Sequence, residues 1–312
     1  MEREIDISIV IPVYNTTKIL EELTKDVATL LKINQLTFEI LLVDDCSPNV
    51  STWQHILNTV NANEHVSGIK LTRNFGQQSA TLCGLSMAKG RHIVTMDDDY
   101  QHHPEDILKL YEQREHDIVI GHLTNKVHSF SRRLASQMKG YFDEIILGKP
   151  KDIQLSAFRM FRKHVVQGML QIKTPTPFIA ALMFYVSKDI VGVKIPHHER
   201  MEGASGYGLK QMIRLFSFLL INNSSLLLRT IGNIGLFMSA TCLLLIFLLV
   251  SRYFFFEGSI TGWTSTMITL IFFGGAQLFS IGIIGEYLIR IIGSVEEKPP
   301  FIVRDIITKD PS

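Results

Sequence analysis

Cysteine is scarce in this chain of 312 residues: Cys46, Cys83 and Cys242 stand far apart, and no Cys-x-x-Cys pair occurs. That excludes a disulfide framework and a structural zinc site, and it suits a reducing compartment. An excess of either charge is missing too, with 31 basic against 30 acidic residues, so the balance gives no reason to expect nucleic acid as a partner. No internal repeat and no low-complexity segment is found, which leaves no ground for a repeat architecture. The N-terminus lacks the pattern of a secretory signal, because Met1-Glu-Arg-Glu leads directly into a strand. The 11 histidines are scattered, and the neighbours His102-His103 and His197-His198 lack ligand spacing on a helix. They read as surface or supporting residues.

Long apolar runs are present, and they lie at one end. Mean hydropathy is +0.19, high for a soluble enzyme. No charged residue occurs from Thr230 to Ser251 or from Ser259 to Gly285. Each run exceeds the ~20 residues that cross a bilayer as a helix. Buried core helices are the alternative, but Gly232, Gly235, Gly274, Gly275 and Gly282 within Leu-, Ile- and Phe-rich sequence suit a packed transmembrane hairpin better. Lys210, Arg214 and Arg229 precede the first run and Arg290, Lys298 and Arg304 follow the second, whereas the connecting loop offers only Arg252. The positive-inside rule then puts both termini in the cytoplasm. Just before the first run, Leu209, Met212, Ile213, Phe216 and Leu220 share one helical face, with Lys210, Gln211 and Arg214 away from it. Such a helix lies in the headgroup layer or in a soluble core; periodicity does not separate the two.

The first hundred residues alternate strand and helix patterns: 7–13 then 19–31, 39–43 then 53–60, 68–71 then 79–87, and 92–96. That alternation predicts a mostly parallel sheet covered on both faces. A further strand is expected over 117–120 and a helix over 129–147. The fourth strand runs into Asp97-Asp98-Asp99. Three acids in a row repel one another unless something positive sits between them, and a divalent cation carrying a nucleotide diphosphate answers that need. Asp97 and Asp99 would share one strand face and Asp98 the other, at the sheet edge where open α/β folds keep their ligands. A solvated turn before a helix starting near Pro104, Glu105 and Asp106 is the plainer reading.

Four more motifs accompany the acid run: Ile9-Val-Ile-Pro-Val-Tyr-Asn, Leu42-Val-Asp-Asp-Cys-Ser-Pro, Leu71-Thr-Arg-Asn-Phe-Gly-Gln-Gln-Ser-Ala and Arg200-Met-Glu-Gly-Ala-Ser-Gly-Tyr. With Asp97 to Gln101 they closely resemble the family 2 glycosyltransferases of GT-A fold. The best fit is the membrane-anchored polyprenyl-phosphate glycosyltransferases, the group of dolichyl-phosphate mannose synthase and bactoprenol glucosyltransferase. The resemblance extends through both apolar runs to Gly285-Glu-Tyr-Leu-Ile-Arg. It implies an α/β, Rossmann-like GT-A catalytic domain over 1–205, an amphipathic interfacial helix over 206–229, two transmembrane helices over 230–292 and a cytoplasmic tail over 293–312. The catalytic domain would face the cytoplasm from the inner membrane, and the small residues in the spans permit homo-oligomers.

By the same resemblance, Pro12, Tyr14, Asn15, Asp44, Asp45, Arg73, Gly76 and Asp98 belong to the nucleotide site, with Asp45 favoured over Asp44 for the base. Helix capping is the plainer role for that acid pair, and a turn for Gly76. Asp97 and Asp99 would hold Mg²⁺ or Mn²⁺ against the donor diphosphate. Arg200, Ser205, Tyr207 and Lys210 would meet phosphate, and Arg132 and Arg133 an acceptor phosphate, although a solvated helix face also accounts for the last two. Many members of the group carry Asp before Phe-Arg; here Ala157 precedes Phe158-Arg159. The general base is therefore open, with Asp152 the nearest carboxylate, Gln101 able to orient the acceptor and Arg159 kept among the catalytic candidates. A phosphate acceptor tolerates that loss, because a monoester with a second pKa near 6 is largely dianionic at neutral pH. The expected reaction is inverting, metal-dependent transfer of a sugar from a nucleotide diphosphate sugar, UDP-linked, to undecaprenyl or a related polyprenyl phosphate. A transferase of the same fold acting on a sugar hydroxyl, and a non-catalytic nucleotide-sugar sensor, are the alternatives.

Overall fold

The computed structural model describes residues 4–123, 153–196, 262–295 and 298–309, together with Phe237, Thr241 and Leu244. The chain divides into two compact units, residues 1–206 with 297–312, and residues 207–296.

The first unit opens with β1 (Ile7–Val13), α1 (Ile19–Ile33), β2 (Phe38–Asp44), α2 (Val50–Ala62), β3 (Val66–Leu71), α3 (Gln77–Met87) and β4 (His92–Thr95). It continues with α4 (Asp106–Glu112), β5 (Ile118–Leu123), β6 (Arg159–Arg162), α5 (Lys163–Gln171), α6 (Ile179–Val186), β7 (Ile190–Ile195) and, after the second unit, β8 (Val303–Thr308). The eight strands form one sheet in the order β7-β5-β6-β4-β1-β2-β3-β8. β1 to β4 are mutually parallel, β6 runs antiparallel to both β4 and β5, β5 pairs parallel with β7, and β8 closes the β3 edge antiparallel. The expected mostly parallel α/β sheet is thus found.

Burial on both faces explains the continuous apolar strands. Every residue of β1 is buried. Ile7, Ile9, Ile11 and Val13 pack with Leu20, Leu23, Val27 and Leu31 of α1, whereas Val10 packs with Ala80, Cys83 and Leu85 of α3 on the opposite face. α1 shows the spacing that suits one buried face, with Glu21 and Glu22 in its first turn and Lys32 in its last, each at the favourable end of the helix dipole. α3 instead has a continuous buried run from Ser79 to Leu85. It is sandwiched, and so carries little amphipathic signal.

Elements β6, α5, α6 and β7 come from a stretch, 153–195, in which the sequence offered no pattern. β8 comes from the expected tail. The helix expected over 129–147 and the amphipathic helix before the first apolar run lie outside the described residues. In the second unit, α7 (Trp263–Val295) is 33 residues long. Judged on the described residues alone, no helix is long and apolar enough to cross a membrane.

Candidate active site

The chain lays β1, β2 and β3 outward in one direction and then places β4 on the other side of β1. That reversal opens a crevice beyond the carboxyl ends of β1 and β4, the usual ligand position in such sheets. A cleft of ≈ 320 Å³ occupies it. Pro12, Val13 and Tyr14 at the end of β1, Asp45 after β2, Asn74 and Gly76 before α3, Gln77 at its start and Asp97, Asp98 and Asp99 after β4 line this cleft. Tyr14 is 48% exposed, an aromatic face available to a base.

Asp45 is buried, and its carboxylate accepts from two main-chain donors, Phe75 N–H at 2.7 Å and Gly76 N–H at 2.8 Å. It thereby folds the 74–76 loop over the end of β2. Gly76 has φ +91°, a conformation that penalises a side chain. Burial raises the Asp45 pKa, the two amide donors oppose that shift, and neighbouring Asp44 adds to it. Asp44 is fully buried and points elsewhere: Oδ1 accepts from Ser47 N–H at 2.9 Å and Ser47 Oγ–H at 2.6 Å. Its Oδ2 is buried without a hydrogen-bond partner. The cap of α2 is Asn49, whose side chain accepts from Ser51 N–H, so neither acid serves as that cap.

The three acids part company. β4 ends at Thr95, so the strict alternation of a strand does not reach them. Asp97 Oδ1 accepts from Gln77 Nε2 at 2.7 Å, Asp98 accepts from the Thr16 hydroxyl, and Asp99 Oδ1 accepts from Gln101 N–H at 3.2 Å. Burial raises the Asp98 pKa against the pull of Thr16, and Asp99 reinforces the rise. The bend is set by Tyr100, which sits at φ +60°, a left-handed conformation that is rare for a bulky residue. Its ring is buried and its hydroxyl donates to Asp26 of α1. Burial and Asp26 together push the Tyr100 phenol pKa up.

Beyond Asp97 a smaller bay of ≈ 90 Å³ adjoins the cleft, sharing Pro12, Gln77 and Asp97 with it. Ala157 and Arg159 lie in its wall. Arg159 is 8% exposed, its Nε–H donates to Ser156 O, and burial lowers its pKa to about 10 while Asp97 holds it up. It remains a cation at neutral pH.

Pro12, Tyr14, Asp45, Gly76, Asp97, Asp98 and Asp99 thus meet at the cleft, and Arg159 joins Asp97 in the bay. Asn15, Asp44 and Arg73 do not line either space; Asn15 N–H donates to Ser47 Oγ at 3.0 Å, and the Arg73 guanidinium stacks 4.4 Å from the Phe75 ring centroid. They support the loops. Asp152, Arg132, Arg133, Arg200, Ser205, Tyr207 and Lys210 lie outside the described residues. Sequence reading did not single out Thr16, Asn74, Gln77 or Tyr100. Asn74 and Gln77 were within reach, since both belong to the quoted motif around Gly76.

No group of three or more His, Cys, Asp or Glu that could hold a metal ion occurs among the described residues. A pair of carboxylates on a phosphate-sized cleft still fits Mg²⁺, which keeps several waters and is bound through one or two carboxylates plus substrate phosphates.

The family model "Glycosyl transferase family 2" matches residues 8–191. The chain belongs to that family. It is a glycosyltransferase, as the resemblance implied. Relatives align along almost the whole length. An undecaprenyl-phosphate 4-deoxy-4-formamido-L-arabinose transferase of Yersinia pestis (strain Pestoides F) is 31% identical over 96% of this chain and 93% of that protein. The transferase of the same name from Sodalis glossinidius is 29% identical over 98% and 95%. An uncharacterized glycosyltransferase, YkcC of Bacillus subtilis, is 29% identical over 97% and 95%. Among solved structures, glucosyl-3-phosphoglycerate synthase from Mycobacterium tuberculosis, in complex with Mn²⁺, UDP and phosphoglyceric acid, superimposes with a TM-score of 0.53 at 13% identity. The match covers 69% of this chain and 76% of that one. That likeness establishes the GT-A-like fold of the sheet and the helices around it.

Proposed function

We propose that this glycosyltransferase moves a sugar from a nucleotide diphosphate sugar, UDP-linked, to the phosphate of a polyprenol at the cytoplasmic face of the inner membrane, with inversion. The observation that carries the reading is alignment over 96% of the chain, apolar runs included, with a transferase named for undecaprenyl phosphate. The cleft supports it chemically. Tyr14 and Pro12 offer the base a flat wall, and the loop tied down by Asp45 brings main chain close to where a nucleotide would lie.

Asp97 and Asp99 would hold Mg²⁺ or Mn²⁺, with Asp98 turned toward Thr16. When bound, such an ion neutralises charge building on the departing nucleotide diphosphate. The acceptor needs little help, because a lipid phosphate is largely dianionic at neutral pH. One of its oxygens attacks the anomeric carbon as the bond to the diphosphate breaks, and no proton has to be removed. Ala157, where many members of the group have an acid, accords with such an acceptor. Gln101, whose main chain is fixed by Asp99, would orient it. Arg132, Arg133, Arg200, Ser205, Tyr207 and Lys210 would gather the phosphates. For anchorage we propose a hairpin of two spans, over the uncharged runs Thr230 to Ser251 and Ser259 to Gly285.

The test uses the detergent-solubilised full chain, undecaprenyl phosphate, Mg²⁺ or Mn²⁺ and a panel of radiolabelled nucleotide sugars. Label should enter the organic phase as a monophosphate-linked lipid, with dependence on metal and on the phosphate acceptor. Asp97→Asn or Asp99→Asn should lower turnover by at least about a hundredfold without unfolding the chain. Label passing only to lipids that already bear sugar would refute the acceptor, and full rate after chelation would refute the metal.

A further inference from the structure

The bay beyond Asp97 adjoins the cleft and has a wall of its own. Its ≈ 90 Å³ is less than a third of the cleft's ≈ 320 Å³, a space suited to a small substituent rather than to a nucleoside. Its wall carries both kinds of hydrogen-bonding group. Gln78 spends its amide oxygen on Ile179 N–H at 3.0 Å, so its amide nitrogen is the part that offers hydrogen bonds to a ligand, beside the guanidinium of buried Arg159. Gln77 spends its amide nitrogen on Asp97, so its oxygen offers an acceptor. Thr95 and Thr81 direct their hydroxyl protons to Ala157 O at 2.7 Å and Gln77 O at 2.8 Å, which fixes both walls.

A carbonyl oxygen beside an N–H is the small group that answers such a pair of donors and acceptors. A phosphate dianion of similar bulk offers acceptors alone, so the Gln77 oxygen would be left without a donor. A plain hydroxyl would leave part of the bay and most of its polar groups unanswered. Ala157 is the smallest side chain of that wall, so added bulk is tested there. We infer that this bay is a specificity subsite for an acylamino substituent on the donor sugar, held by Arg159 and Gln78 through its carbonyl and by Gln77 through its N–H. The inference rests on the proposed use of a nucleotide sugar donor.

Two paired comparisons test it by titration calorimetry on the solubilised full chain with Mg²⁺. UDP-4-deoxy-4-formamido-L-arabinose is compared with UDP-L-arabinose, and UDP-N-acetylglucosamine with UDP-glucose. In at least one pair the acylamino sugar should bind about tenfold tighter or more. Ala157→Met, which adds a flexible apolar chain to the wall, should bring that ratio to about one or below. Its folding is checked by an unchanged affinity for UDP. Arg159→Lys should lower the same ratio, because a point charge replaces the fork. Affinities equal within twofold in both pairs, binding of no sugar, or a ratio that Ala157→Met leaves intact would each overturn the subsite. Transfer to undecaprenyl phosphate is scored separately: its absence with the binding ratio present sinks the reaction, and its presence with no ratio sinks only the subsite.

Discussion

At Asp45 a single carboxylate holds the loop on which the cleft depends. Both its oxygens are committed to main-chain donors of the 74–76 loop, and the side chain is buried. Asp45→Asn keeps the shape but offers one acceptor oxygen and one amide group against two N–H donors, so one of them loses its partner. The expected cost is about 1–3 kcal/mol in urea denaturation, with weaker nucleotide binding as the loop loosens. The pH dependence has a definite sign. Burial holds the folded pKa above the unfolded value of about 3.9, so the folded state binds the proton more readily. Stability from this group is complete below the unfolded pKa and is lost as pH rises through the folded one. Because asparagine does not titrate there, the gap between wild type and Asp45→Asn should narrow as pH climbs from about 3.5 toward neutrality. A gap that widens over that range would mean that the two amide donors outweigh burial and hold the folded pKa below the unfolded one. Tyr100 shows the complementary device, a left-handed residue held by a buried ring and a hydroxyl on Asp26, which redirects the chain just after Asp99.

Among the elements, α3 carries the site's most exacting packing. Gln77 and Gln78 project from its first turn toward the cleft and bay, and the helix approaches the sheet most closely at Gly84. A Cβ there would lie 2.3 Å from Val10 Cγ1 and 3.2 Å from Val43 Cγ2, against two stiff side chains of the sheet. Gly84→Ala gains about 1 kcal/mol in helix propensity and loses about 1–3 kcal/mol to overpacking. The net loss of about 1 kcal/mol should be partly recovered in Gly84→Ala with Val10→Ala, as read from denaturation midpoints. A more stable single variant would show that the helix has room to lift. Elements of this kind mark what sequence could reveal. The strands up to Thr95 stood out because each is a short, largely buried run with Ile, Leu or Val at most of its buried positions, set between turn residues, and Pro12, Tyr14, Asp45, Gly76 and the acids sit at their carboxyl ends. β6 did not stand out, since Arg159-Met-Phe-Arg162 is four residues long with an arginine at each end, one of them buried for the bay. Thr16 and Tyr100 were hidden for another reason: their partners Asp98 and Asp26 are 82 and 74 residues away, and no local pattern records such pairings.

For the whole molecule, the informative step is the return of the chain from its second unit to the sheet of the first. After α7 it lays β8 antiparallel along β3, from Ser67↔Thr308 to Leu71↔Val303. Ile307 and Val303 pack against the cores on opposite sheet faces, and Lys309 Nζ donates to Asn61 O at 2.9 Å. The strand therefore covers an edge that would otherwise expose β3 to pairing with another chain. It also reaches the site, because Thr72 N–H donates to Ile302 O at 2.9 Å immediately before Arg73 and the loop that Asp45 holds. A chain ending at Phe301 should consequently lose about 2–4 kcal/mol, counting partial burial of two aliphatic side chains and the ladder hydrogen bonds. It should also bind nucleotide more weakly, since the loop keeps its Asp45 anchor and loses the one at Ile302. Ile307→Asp separates the two effects: it should destabilise through the buried face while leaving the Thr72 to Ile302 bond and hence nucleotide affinity close to wild type. Equal loss of affinity in both variants would mean that the tail acts on the cleft through overall stability; loss confined to the truncated chain would identify the Ile302 carbonyl as the link between the sheet edge and the nucleotide loop.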